Sequence, residues 1–437
     1  MGGTELITQP DSHTGESAPS LPEHTLEKNR EPTHGLIARL GRWLERDRLP
    51  APVETQTLFA ARLTDVAANR LARQWSTRYT TADDAERRFL LAELAQTSAG
   101  IEPRDDLGVR LFKRLNAQTD GLRFLVGLRA DMLRWRKQIA GLTLLERELE
   151  GLLSNWFDVG MLELKPINWD SPASLLEKLI QYEAVHEIHS WDELRRRVAK
   201  DRRCYAFFHP GMDDVPLIFV EVAFAPKMAD NVQVLLDMQT PPDDLSKARW
   251  AIFYSISSTQ AGLRGISFGN FLLKRVIDEL LSELPNLKSF ATLSPIPGFA
   301  AWLGKQDGKV LQELLHDRTD NQYAQDSVRS GLRWVAQLQK AAVGDASDVV
   351  QRAGLKLAAH YLTSIKSGQL IDPVARFHLG NGARIERINW AADCSPKGLQ
   401  QSCAMMVNYL YSLDELDENL LQLAAGKPRI ARHLRWR

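Results

Sequence analysis

The chain has 437 residues, 44% of them hydrophobic, enough for two or three domains with real cores and far from a fibre or a solvated tail. Its 55 basic and 55 acidic side chains cancel. No global field draws it to nucleic acid or to an anionic membrane, and an anionic ligand has to be held locally.

Residues 1–35 are rich in Pro, Ser, Thr, Gly and Glu and poor in large apolar groups, a composition that predicts a disordered tail. They carry neither a signal-peptide core nor an Arg-rich transit pattern. No apolar run reaches the roughly 18 residues a membrane span needs. Cys204, Cys394 and Cys403 form no CxxC pair, which fits a reducing compartment. These features together predict a cytoplasmic protein.

From 36 to about 156 the apolar period is helical. Leu125, Leu128, Met132 and Trp135 form one stripe, and Leu145, Leu149, Leu152 and Trp156 another. Thr81, ahead of "ADDAERRFLLAEL", reads as a helix cap before an acidic first turn. Gly, Pro and Asn punctuate "GMLELKPINWDSP", so the boundary between a helical domain, 36–160, and a second domain, 161–437, is expected there.

"SWDE" at 190–193 reads as a capping box. His186, Glu187 and His189 beside it resemble a metal set only superficially, because no third ligand stands at a fitting distance. No metal is expected. Beta-type runs follow: "CYAFFH", "VPLIFVEVAFA", "VQVLLDM", "WAIFYSIS" and "LKSFATLS", with a helix near 270–284 between the last two. Strand, glycine loop, helix and strand make a βαβ unit on a mixed sheet. His209 is expected to cap a strand before a hairpin turn. Residues 305–365 read as helical again.

Three segments carry candidate chemistry. In "STQAGLRGISFGNFLLKRV", Gly262, Gly265 and Gly269 lie between a buried strand and a helix, where open backbone N–H groups and the helix dipole can face an anion. A tight turn would also use them, and the pattern is neither a P-loop nor a dinucleotide fingerprint. Ser294, at the end of the next strand, is followed by Pro295, Pro297 and Gly298, which stiffen the loop. It belongs either to the crevice beyond the strand ends or to an ordinary Ser-Pro turn. His378, before the Gly380-Asn381-Gly382 turn, is expected half-buried near a strand end, in a structural or a catalytic role.

Taken together, "FHPGMDDVPLIFVEVAF", "GLRGISFGNFLLKRV", "TLSPIPGF" and "FHLGNGARIERINWAADCSPKGLQQSCAMMVNYLY" resemble the malonyl-CoA decarboxylase family over most of the chain after the tail. The resemblance implies an α+β multidomain protein. Its N-terminal half would be an all-α oligomerisation bundle and its C-terminal half a GNAT-like mixed α/β catalytic domain. It implies that Ser294 and His378 are the catalytic pair, that Tyr411 supports them, and that Arg264, Gly265, Ile266, Ser267, Phe268, Gly269 and Asn270 bind CoA. Mammalian members carry a glutamate at the position of Ser267, so an acidic role there does not carry over. Animal relatives also end in a peroxisomal tripeptide that "RHLRWR" is not, which points to the bacterial type. The implied partners are malonyl-CoA and acetyl-CoA in a homotetramer, with no cofactor, because a thioester is its own electron sink. An acyl-CoA N-acyltransferase and a non-enzymatic CoA-binding scaffold are the rival readings.

Overall fold

The structure, a computed structural model, describes residues 52–101, 106–266, 272–315 and 330–435. The expected tail, the first part of the helical region, and Ser267, Phe268, Gly269 and Asn270 lie outside the described residues.

The helical period is realised in α1 (Pro52–Ala60), α2 (Val66–Thr81), α3 (Asp84–Ala99), α4 (Leu107–Asn116), α5 (Gly121–Trp135) and α6 (Leu142–Trp156). Leu125, Leu128, Met132 and Trp135 of α5 face inward, as do Leu145, Leu149 and Leu152 of α6. Each such side chain contributes roughly 1.5–3 kcal/mol through burial. Thr81 is not the cap expected of it. It closes α2, with its hydroxyl donating back to the Thr77 and Arg78 carbonyls, and Asp83 caps α3 by accepting from the Glu86 N–H at 2.9 Å.

The next stretch opens with β1 (Glu163–Ile167), where the sequence suggested only punctuation. Pro166 is tolerated because β1 pairs with β2 alone and forms the sheet edge. After α7 (Ala173–Tyr182), α8 (Trp191–Arg197) starts at Ser190, whose hydroxyl accepts from Glu193 N–H. The Glu193 carboxylate reaches one residue further back than a capping box requires, to the His189 N–H. Strands β2 (Arg202–Phe208) and β3 (Ile218–Ala225) follow. "VQVLLDM" then becomes a short helix, α9 (Val232–Leu236), and not a strand. Asn231 caps it, the Val232 N–H goes to the Ala392 carbonyl, and Val234 points to solvent, so period-2 burial never develops.

Strand β4 (Trp250–Ser258), helix α10 (Leu272–Glu283) and strand β5 (Ser289–Thr292) form the expected βαβ unit, with β4 and β5 parallel. The other pairings are antiparallel, giving a mixed sheet. Two-residue β6 (Ser294–Pro295) continues the line of β5. Helix α11 (Phe299–Gly304) precedes the stretch expected to be helical, and α12 (Gly308–Leu315), α13 (Gly331–Ala342) and α14 (Asp348–Thr363) match the expectation for 305–365 where it is described, up to Thr363. A small hairpin, β7 (Ile365–Lys366) and β8 (Gln369–Leu370), leads to α15 (Pro373–Gly380), β9 (Arg384–Asn389), α16 (Pro396–Ser402), β10 (Met406–Tyr411) and α17 (Leu416–Ala424). The strand order is β1-β2-β3-β4-β5-β10, with β6 and β9 both paired to β10. One apolar core joins α1 to α6, one face of the sheet, α10, α14 and α15.

The capping geometry distinguishes two neighbouring residues. Asp83→Ala should cost about 1 kcal/mol in urea unfolding, whereas the exposed Thr81→Ala should stay within about 0.5 kcal/mol. Equal losses would mean that Asp83 does not cap α3.

Candidate functional site

β10 runs antiparallel to 290–295, with Tyr411 opposite Phe290, Leu410 opposite Ala291, Val407 opposite Ser294 and Met406 opposite Pro295. Side chains alternate across a strand, so Thr292 and Ser294 share a face with Tyr409 and Tyr411. Helix α15 lies on that face and brings in His378. The imidazole is therefore in the last turn of a helix and fully buried, not half-buried at a strand end. Asp372 caps that helix, accepting from the Ala375 N–H at 2.7 Å, and Pro373 sets its first turn.

The structure brings Ser294, His378 and Tyr411 together. Ser294 Oγ is 3.3 Å from His378 Nε2, and His378 Nδ1 is 2.8 Å from the Tyr411 hydroxyl. Ser294 donates to Thr292 Oγ1 at 2.9 Å, which also accepts the Tyr409 N–H at 3.1 Å. With the serine proton committed to Thr292, the consistent neutral tautomer of His378 has Nε2–H facing Ser294 and Nδ1 accepting from Tyr411. Tyr409 stacks on the imidazole, ring centroids 4.6 Å apart. Thr292 and Tyr409 escaped the sequence reading. The signal was there, because each stands two residues before a residue that was singled out.

The loop after Ser294 is tied down as its prolines suggest. The Ile296 N–H donates to Ser402 Oγ at 3.1 Å, and a side chain on Gly298 would collide with the Tyr361 hydroxyl. The Leu293 N–H is used by the Phe253 carbonyl. These two flanking N–H groups are therefore occupied and do not face a ligand.

Burial pushes His378 down to about 3, and no opposite charge restores it, so the imidazole is neutral in the free protein. The Tyr411 hydroxyl is pushed well above its ordinary value by the same burial. The site thus combines a serine, a neutral imidazole and a phenol, all buried, a set able to hold an anion and to move one proton.

The glycine loop reaches the described region as far as Ile266. Arg264 and Gly265 are exposed, Gly265 with φ +85°, and Gly262 is buried against α5. His209 does close a turn: Gly211 N–H donates to its Nδ1, leaving Nε2–H for the Trp156 carbonyl at 3.0 Å. His186 is buried and pushed down to about 4 by desolvation and by Arg197. Among the described residues no group of three or more His, Cys, Asp and Glu side chains could hold a metal, and no helix is long and apolar enough to cross a membrane.

Two family models match the chain, one described as the malonyl-CoA decarboxylase N-terminal domain over 67–157 and one as the C-terminal domain over 160–431. A mitochondrial malonyl-CoA decarboxylase from Rattus norvegicus is 39% identical over 339 residues, covering 72% of this chain and 68% of that protein. The crystal structure of malonyl-CoA decarboxylase from Cupriavidus metallidurans is 52% identical. It covers 88% of this chain and 97% of its own, with a TM-score of 0.78. The crystal structure of malonyl-CoA decarboxylase from Rhodopseudomonas palustris is 36% identical, with the same 88% coverage, 98% of its own chain and a TM-score of 0.72.

The neutral imidazole makes stability depend on pH. The folded-state pKa, about 3, lies below the ordinary 6.5, so between those values the unfolded chain binds the extra proton. Stability is full above pH 6.5 and falls as pH drops, by up to about 1.4 kcal/mol per unit from this one group. Between pH 7 and pH 5 the wild type should lose about 2 kcal/mol more than His378→Gln does in urea unfolding. Parallel curves would show that His378 is not buried neutral.

Proposed function

The chain belongs to the malonyl-CoA decarboxylase family, a carboxy-lyase that converts malonyl-CoA to acetyl-CoA and CO2, and we propose that Ser294, His378 and Tyr411 carry that reaction. The observation that carries the assignment is the continuous hydrogen-bonded series from the Tyr411 hydroxyl through both imidazole nitrogens to Ser294 Oγ, buried along its length.

Loss of CO2 leaves an electron pair on C2, which delocalises onto the thioester oxygen when the breaking C–C bond stands perpendicular to the thioester plane. Ser294, positioned by the tied loop after it, turns its hydroxyl proton from Thr292 Oγ1 to the malonyl carboxylate as substrate binds and so holds that group in alignment. The carboxylate brings a negative charge into a dry pocket beside a neutral imidazole, and this raises the proton affinity of His378. His378 therefore takes up a proton as substrate binds. That proton enters at Nδ1, where the Tyr411 hydroxyl turns from donor to acceptor; when CO2 departs, Nε2 passes its proton to C2, and the neutral imidazole that remains carries its proton on Nδ1. Tyr411 can donate to Nδ1 or accept from it, and it holds the ring orientation through that change, while Tyr409 fixes the ring plane.

The reading includes CoA binding at Arg264, Gly265 and Ile266 and at the neighbouring Ser267, Phe268, Gly269 and Asn270. Its support is the strand-loop-helix setting, with Gly265 left-handed and exposed. It includes a GNAT-like sheet, supported by one parallel pair, β4 with β5, among antiparallel strands. It also includes a homotetramer built through the helical half, supported by exposed Val66, Phe89 and Leu144 there. A cytoplasmic location is supported by three unpaired cysteines.

Purified protein given malonyl-CoA alone should yield acetyl-CoA and CO2, followed by mass. Ser294→Ala and His378→Gln should each lower kcat by about 10²-fold or more, and Tyr411→Phe by about tenfold. Wild-type rates in both Ser294→Ala and His378→Gln would sink the assignment, and CoA binding without turnover by the wild type would favour an acyltransferase or a scaffold.

A further inference from the structure

We infer that Arg129, a helical-half residue far in sequence from the Ser294 site, is the positioning residue for the CoA loop, so that the helical half sets affinity for the nucleotide end of the substrate. This rests on the reading of the glycine loop as the CoA site.

Arg129 sits on α5 with 1% of its surface exposed. Its guanidinium donates from Nη1 to the Gly262 carbonyl at 2.7 Å and to the Arg264 carbonyl at 2.9 Å. On its other side Nε donates to Glu146 Oε1 at 3.0 Å, and Nη2 lies 3.0 Å from both Glu146 and Glu150. Arg136 holds the second Glu146 oxygen at 3.1 Å. The fork is saturated and has one orientation available to it.

That orientation has a consequence for the loop. In a trans peptide the C=O and the following N–H point in opposite directions. With the Arg264 carbonyl turned into Arg129, the Gly265 N–H of the same peptide is turned away from the guanidinium. Gly265 itself is exposed and left-handed, a conformation that turns a backbone donor outward without a side chain in the way. Gly262 fixes the approach, since any side chain there would collide with the Val126 carbonyl of α5. The loop therefore takes its shape from α5, and an anion would meet it on the side away from Glu150, whose Oε1 lies beside Gly265 and is drawn to Arg129 Nη2. Lysine at 129 would keep the buried positive charge opposite Glu146 but cannot span two carbonyls and two carboxylates.

The test compares Arg129→Lys with wild type on malonyl-CoA and on malonyl-pantetheine, which keeps the reacting end and lacks the nucleotide. Titration calorimetry with CoA adds a readout that needs no turnover. The expected result is a KM for malonyl-CoA and a Kd for CoA raised roughly tenfold or more, with kcat within about twofold and kcat/KM for malonyl-pantetheine unchanged. Gly262→Ala, which displaces the loop without touching the ion pairs, should give the same split if Arg129→Lys fails to fold. Equal losses on both substrates, or an unchanged Kd for CoA in folded variants, would overturn the inference. Failure of the wild type to convert malonyl-CoA would overturn the decarboxylase assignment instead, and the CoA titration would still decide the role of Arg129.

Discussion

The site depends on how the pairing between 290–295 and β10 survives an interruption at Leu293. There the backbone turns to β4, with the Leu293 N–H going to Phe253, and the ladder to β10 is broken between β5 and β6. Side chains restore it. Thr292 Oγ1 accepts the Tyr409 N–H, and the Asn408 amide donates to the Thr292 carbonyl at 2.7 Å while also reaching the Ala229 carbonyl. Asn389 and Arg387 hold the Asn408 oxygen in turn. A slip of one residue would turn Ser294, Thr292, Tyr409 and Tyr411 to the opposite face, away from α15. Asn408 is fully buried, so every polar atom it presents has to be matched, and the observed register supplies partners for both its amide and its oxygen.

The same alternation explains what was legible in the sequence and what was not. Long periodic segments read correctly, because α5 and α6 repeat their apolar positions over several turns and leave little ambiguity. "VQVLLDM" failed because a five-to-seven-residue apolar run has the same composition in a short helix and in a strand. The cap at Asn231 and the contact with Ala392, far away in sequence, decide between them. His378 was misread for a different reason. The Gly380-Asn381-Gly382 turn is a strand-end signal, but Asp372 and Pro373, eight residues before it, are the N-cap and first turn of a helix that carries His378 in its last turn. The Ser294, His378 and Tyr411 set came from family resemblance, since no local rule relates residues 294, 378 and 411. Thr292 and Tyr409 were within reach of period-2 reasoning once their neighbours were chosen. Arg129 was not, because the loop carbonyls it holds lie more than 130 residues away.

Buried charge is distributed unevenly, and the distribution bears on the chemistry. Arg129 with Glu146, Arg197 with Glu221, and Asp201 with Arg196 and Arg202 are all removed from water. Such pairs add little net stability, because desolvation offsets most of the attraction, but they penalise any arrangement that leaves one charge unpaired. Around Ser294 the situation is reversed: the hydrogen-bonded groups are hydroxyls and an imidazole held neutral.

A malonyl thioester of CoA carries negative charge at both ends, and in the proposed reading the two ends meet two different environments. The phosphates would meet an exposed loop, where backbone donors and water share the charge. The carboxylate would meet the buried Ser294, His378 and Tyr411, where an anion is poorly solvated and gains most by leaving as neutral CO2 while its electron pair spreads over the thioester. Binding at the nucleotide end offsets the cost of carrying the carboxylate inside, so affinity at the loop sets how often the reacting end is occupied, while the buried groups set the rate once it is. For that division the loop has to be held in place with respect to the sheet. A guanidinium fixed by two carboxylates and two loop carbonyls is a physical means of making it so.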